Sequence, residues 1–183
     1  MFVSRTVRGL IGIAIFSLGL SASAQVPTPP SQSQQTAVAS PLAPIAWMSG
    51  TWAAEAKQPG SEKSAKILSR FTPQLDGRTM SIEASFDGKA VYQGMFAYDP
   101  ALKAIAFWYV TPDGESIRGT ADTKEPDDPL FDFRMTLANG VELHFQTKVH
   151  RVDTDHYSWT LFTTSSGGAT WQKLFAVDYH RVS

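Results

Sequence analysis

From Gly50 to the end of the chain, apolar and polar residues alternate with a period of two, the spacing of strands with one buried face. Phe131, Phe133, Met135 and Leu137 alternate with Asp132, Arg134 and Thr136. Met80, Ile82 and Phe86 alternate with Thr79, Ser81 and Glu83. Val141, Leu143, Phe145 and Val149 oppose Glu142, His144, Gln146 and Lys148. No window here carries an apolar stripe at the 3.6-residue spacing of a helix.

Turn residues cut this region about every ten positions. The predicted strands are Thr51–Lys57, Lys66–Thr72, Arg78–Phe86, Val91–Tyr98, Ala104–Val110, Glu115–Asp122, Leu130–Leu137, Val141–Val152, His156–Thr163 and Ala169–Val182. Between them stand Gln58-Pro59-Gly60, Leu75-Asp76-Gly77, Asp87-Gly88, Asp99-Pro100, Pro112-Asp113-Gly114, the loop Lys124 to Pro129, Asn139-Gly140 and Ser165-Ser166-Gly167-Gly168. Connections this short pair neighbours antiparallel. A flat meander of about ten strands would leave two long unpaired edges, and closure removes both. The pattern therefore predicts an all-β fold, an up-and-down antiparallel barrel closed on itself.

Ahead of the first strand, Leu42, Ile45 and Met48 recur at helical spacing. Ser40-Pro41 is a cap and first helical residue for a single turn through Met48, which Pro44 keeps short or tightened. Such a turn can lay its apolar side, with Trp47 and Trp52, over one end of the barrel. The inward set is crowded with rings and methionines. It either fills a small barrel or lines an apolar pocket closed at that end. Ile105 to Tyr109 is apolar on both faces and must be covered outside or meet a partner.

Residues 1–24 read as a signal peptide: Arg5 and Arg8, an apolar run from Leu10 to Leu20, and Ala22-Ser23-Ala24 as a small-residue cleavage site. The run is too short to span a bilayer stably. Residues 25–41 are rich in Pro, Gln and Ser without charge and predict a disordered linker, which leaves residues 42–183 as the barrel domain. The protein is then periplasmic or secreted. There is no cysteine, so the exported fold stands without disulfides and without a lipid-bearing Cys. A net charge of −1 gives no basic face for nucleic acid.

Met48-Ser49-Gly50-Thr51-Trp52 resembles the Gly-x-Trp opening of lipocalin-like (calycin) barrels. Tyr92-Gln93-Gly94-Met95-Phe96-Ala97-Tyr98-Asp99, continued by Phe107-Trp108-Tyr109, Asp113-Gly114 and Arg118-Gly119, is similar to a bacterial group of such barrels, most of them domains of unknown function. Tyr179-His180-Arg181 resembles that group's Tyr-x-Arg close. The likeness spans roughly Leu42 to Val182. It implies that the last strand returns beside the first and that Arg181 packs across Trp52, a cation–π contact of about 0.5–2 kcal/mol. The Gly-x-Trp-x-Gly-x-Gly run of the haem-binding nitrobindin relatives is broken by Ala54 and Ala56, which argues against haem.

Candidate chemistry is sparse. His144 and His150 share an outward polar face with Lys148 and read as solvated or capping residues, while His156 and His180 form no metal-binding spacing with them. Asp127, Asp128, Asp153 and Asp155 read as turn residues. The Ser165–Gly168 run joins two strands and is no phosphate cradle. No Gly-x-Ser-x-Gly elbow marks a hydrolase. Neither metal nor cofactor is predicted, and no catalytic residue is assigned.

Three functions follow. In the first, the barrel takes a small apolar or amphipathic ligand among Met80, Phe107, Tyr109, Phe133, Met135, Phe145 and Trp159. Glu83 and Arg118, charges within strands, are expected to point outward, while an Arg118 turned into the cavity would join this set and draw a carboxylate head. In the second, a filled barrel acts through its outer surface, with Ile105–Tyr109 as a homodimer interface. In the third, an enzyme, haem-dependent or an isomerase or cyclase, draws on Glu83, Arg118 or a histidine.

Overall fold

Alternating strands joined by short connections, two to seven residues between β2 and β10, leave each strand one neighbour on either side, and the sheet closes. The structure is a computed structural model, and it describes residues 39–57 and 64–182. The predicted signal peptide, most of the predicted linker and the Gln58-Pro59-Gly60 turn lie outside the described residues. The strands are β1 (Gly50–Lys57), β2 (Ser64–Gln74), β3 (Thr79–Phe86), β4 (Lys89–Asp99), β5 (Ala104–Val110), β6 (Ser116–Asp122), β7 (Leu130–Thr136), β8 (Glu142–Arg151), β9 (His156–Thr164) and β10 (Gln172–Val182). Every sequential pair is antiparallel, and β10 pairs with β1 to complete the ring. The all-β closed barrel predicted from the alternation is the fold found.

Turn chemistry sets the registers. Asp87 and Gly88 both have positive φ, 48° and 76°, as a tight two-residue hairpin between right-twisted strands requires. The last strand begins later than the alternation predicts, at Gln172 rather than Ala169. Residues 165–171 instead form a loop whose hydroxyls bond within it, Ser166 to Thr164 at 3.1 Å and to Thr170 at 3.0 Å. Those local bonds compete with the ladder.

At one end the turn Ala43–Met48 takes the tightened 3₁₀ form, with Leu42, Ile45 and Met48 buried. Ser40 belongs to this end too: its hydroxyl donates to the Gly77 carbonyl and accepts from the Leu42 amide. Trp52 is wholly buried, its indole N–H donating to the Met48 carbonyl at 2.7 Å, and Trp47 meets it edge-on with ring centroids 6.3 Å apart. The aromatic plug expected from the sequence is present.

Arg181 locks the seam. It stands directly opposite Trp52 in the β1–β10 register, its guanidinium 4.1 Å from the indole centroid. It donates to the carbonyls of Ser49 at 2.6 Å, Trp47 at 3.1 Å and Thr154 at 3.1 Å. Gly50 makes room for this fork. Its φ is +115°, and a Cβ there would stand 2.5 Å from Arg181 Nη1.

Candidate functional site

The interior is not filled. Above the plug lies a cavity of about 240 Å³, bordered by inward residues of β2 to β10. Its walls are mostly rings. Phe133 and Phe145, cross-strand partners on β7 and β8, stack with centroids 5.5 Å apart. Phe107 stacks on Tyr109 at 5.0 Å, and Tyr109 on Tyr92 at 5.3 Å.

Six of the residues expected inside line this cavity: Phe107, Tyr109, Phe133, Met135, Phe145 and Trp159. Met80 is buried but sits apart from the lining, near the plug, where the Ser49 hydroxyl approaches its sulfur at 3.9 Å. Arg118 requires a correction. It is exposed, and its register neighbours Trp108 and Arg134 are exposed with it. The alternation of β6 explains this: Ile117 lines the cavity, so the next position must face out. Glu83 faces out for the same reason, between buried Ile82 and Ala84. Among the described residues, no lysine, arginine, histidine, aspartate or glutamate lines the cavity.

What the sequence reading missed is the cavity's polar inventory. Ser69 and Thr147, both buried, line it together with the tyrosines Tyr92, Tyr109, Tyr157 and Tyr179. The Ser69 side chain adjoins the phenols of Tyr92 and Tyr179. Tyr157 stacks on Tyr179, centroids 4.7 Å apart and planes 14° from parallel. Burial, and then mutual repulsion of the phenolates, pushes Tyr92, Tyr109 and Tyr157 well above the usual phenol range. Burial raises Tyr179 as well, with Ser69 partly offsetting it. All four are neutral phenols in ordinary conditions, able to donate or accept a hydrogen bond. Each occupies an inward position of its strand, a signal that was present in the alternation but was read only as ring bulk.

A second cluster lies on the outer face. His144 was expected to be solvated, yet its side chain is only 12% exposed. Trp171, brought over it by the 165–171 loop, meets the imidazole edge-on at 4.9 Å. Nε2 of His144 donates to Asp132 at 2.8 Å, and Gln146 donates to the other Asp132 oxygen at 2.8 Å. That leaves Nδ1 buried without a partner. His150 and His156 are exposed as expected and pair with Asp128 at 2.6 Å and Asp153 at 3.0 Å. Asp127 and Asp155 pair with Arg151 and Arg181, both at 3.3 Å. Among the described residues no three His, Cys, Asp or Glu side chains converge as a metal site would need.

No protein-family model matches the chain, and no curated protein matches it. Among solved structures it is similar to Rv2717c from M. tuberculosis, with a TM-score of 0.52 and 16% sequence identity. The match covers 78% of this chain and 98% of that one. The likeness is one of fold: a closed antiparallel barrel of ten strands. With no histidine on the cavity wall among the described residues, this interior does not fit a haem held by an axial histidine.

Proposed function

We propose that this chain is an exported lipocalin-like (calycin) barrel that binds a small apolar or amphipathic molecule inside. The cavity carries the reading: about 240 Å³ of space walled by Phe107, Phe133, Met135, Phe145 and Trp159, with the hydroxyls of Ser69, Thr147 and four tyrosines on residues of the same wall. Close-packed interiors keep few voids larger than a water molecule, so unfilled volume of this size lined by rings needs a reason. Ligand pockets share its make-up, apolar walls with a few placed polar groups, although its volume falls just under their usual ~300–1,000 Å³. The ligand is accordingly small. The Gly-x-Trp opening and Tyr-x-Arg close support the calycin assignment, and the leader supports export.

Native mass spectrometry of the periplasmically expressed protein tests this directly. Binding predicts a copurified or added small molecule retained on a folded monomer. Failure to retain any of a panel of one- and two-ring apolar compounds would remove the reading.

A second reading has one observation in its favour. On the outer face, Trp108 and its cross-strand partner Met95 are both close to half exposed. Exposed aromatic and methionine side chains side by side suit a protein contact. A dimer in the same mass spectrum, abolished by Trp108→Ser, would support it.

A further inference from the structure

We infer that the cavity selects neutral molecules of about two rings bearing one hydrogen-bonding oxygen, received by the hydroxyls of Ser69, Tyr92 and Tyr179, and that it rejects carboxylates. The inference rests on the binding reading above and adds the chemistry of the ligand. Size comes first. A 150 Å³ apolar cavity takes a single benzene ring, so about 240 Å³ offers room for a second.

Charge comes next. A carboxylate moved into a low-dielectric interior needs a cation or several donors to replace its water. Here the described wall carries no cation, and Arg118, the residue that could have supplied one, faces solvent. An exposed guanidinium on the far side of the sheet does nothing for an anion inside. Neutral oxygen is a different matter. Ser69, Tyr92 and Tyr179 all line the cavity, Ser69 and Tyr92 in one row of the sheet on either side of Ala84, and each hydroxyl can donate as well as accept. A ligand hydroxyl or carbonyl placed against them gains a hydrogen bond and spares the phenols their poorly solvated state. A ligand with no polar atom leaves those hydroxyls to one another.

Isothermal titration calorimetry at neutral pH with naphthalene, 2-naphthol and 2-naphthoate separates the terms on one ring scaffold. The expected order has 2-naphthol about 3- to 10-fold tighter than naphthalene, the worth of one net hydrogen bond. 2-Naphthoate falls at least about tenfold behind 2-naphthol. Ser69→Ala and Tyr92→Phe should each erase the advantage of naphthol while leaving naphthalene within about twofold, with circular dichroism confirming the fold of each variant. If naphthalene binds but naphthol gains nothing over it, or if naphthoate binds as well as naphthol, the inference falls and the binding reading stands. If none of the three binds, both fall together.

Discussion

The guanidinium of Arg181 covers the face of Trp52 at 4.1 Å and sits opposite it in the ladder that joins the last strand to the first. One side chain thus serves the sheet seam, the plug and the β8–β9 turn, through the carbonyls of Ser49, Trp47 and Thr154. Lysine carries the same charge but lacks the planar fork that reaches three carbonyls and stacks on an indole. Arg181→Lys should destabilise the barrel by about 1–3 kcal/mol, measured as a lower midpoint in urea unfolding. A loss below about 0.5 kcal/mol would mean that the seam closes without this contact.

Gly119 sits between Phe107 and Phe133 across the β5–β6–β7 registers. A Cβ there would strike the Asp132 carbonyl and stand 2.8 Å from the Phe107 ring and 2.5 Å from Phe133 Cβ. Two large inward rings are accommodated because the residue between them has no side chain. Gly119→Ala should cost about 1–3 kcal/mol as an overpacked core. Gly114→Ala, in an open turn with nothing near its Cβ, should cost less, through its φ of +81° alone.

Alkaline pH should unfold the barrel through its tyrosines. The phenols of Tyr92, Tyr109, Tyr157 and Tyr179 have folded-state pKa values raised above the ordinary 10.0. Below that value both states hold the proton and stability is complete. Above it the unfolded chain releases protons that the folded one keeps, so stability falls by up to about 1.4 kcal/mol per pH unit for each tyrosine. Phenolate absorbance from these residues should therefore rise together with the loss of β-sheet circular dichroism. Titration of all the phenols well before unfolding would contradict their burial.

Replacing His144 should be cheap despite its cover. Its Nδ1 is buried with no partner, a desolvation cost that an apolar side chain does not bear. Asp132 would keep its bond from Gln146 and remains 44% exposed. His144→Leu should change stability by no more than about 1 kcal/mol in the same urea assay. A loss of several kcal/mol would show that the imidazole organises the 165–171 loop.

Enlarging a wall residue tests the cavity without touching its polar groups. Ile117→Trp places an indole in the space that Ile117 borders and should weaken binding of naphthalene at least about tenfold with the fold retained. Unchanged binding would place the probe elsewhere on the protein.

Local patterns in the sequence determined the fold class, the antiparallel order, the plug and which rings point inward. Each of these depends on neighbours in sequence: a period of two assigns a face, and a short turn assigns a partner. Phe133 and Phe145 stack because both obey that rule. Arg118 obeys it as well, facing out because Ile117 beside it takes the inward position. Tertiary structure decided what no local pattern encodes. Whether ten inward faces meet or leave a void depends on barrel radius and on the sum of side-chain volumes from every strand. Convergence of Ser69 and Tyr92 with Tyr179 on one cavity wall brings β10 to β2 and β4, from which the chain order keeps it far apart. The covering of His144 depends on a loop 21 or more residues further along folding Trp171 back across the sheet, a contact set by three-dimensional packing and invisible to periodicity.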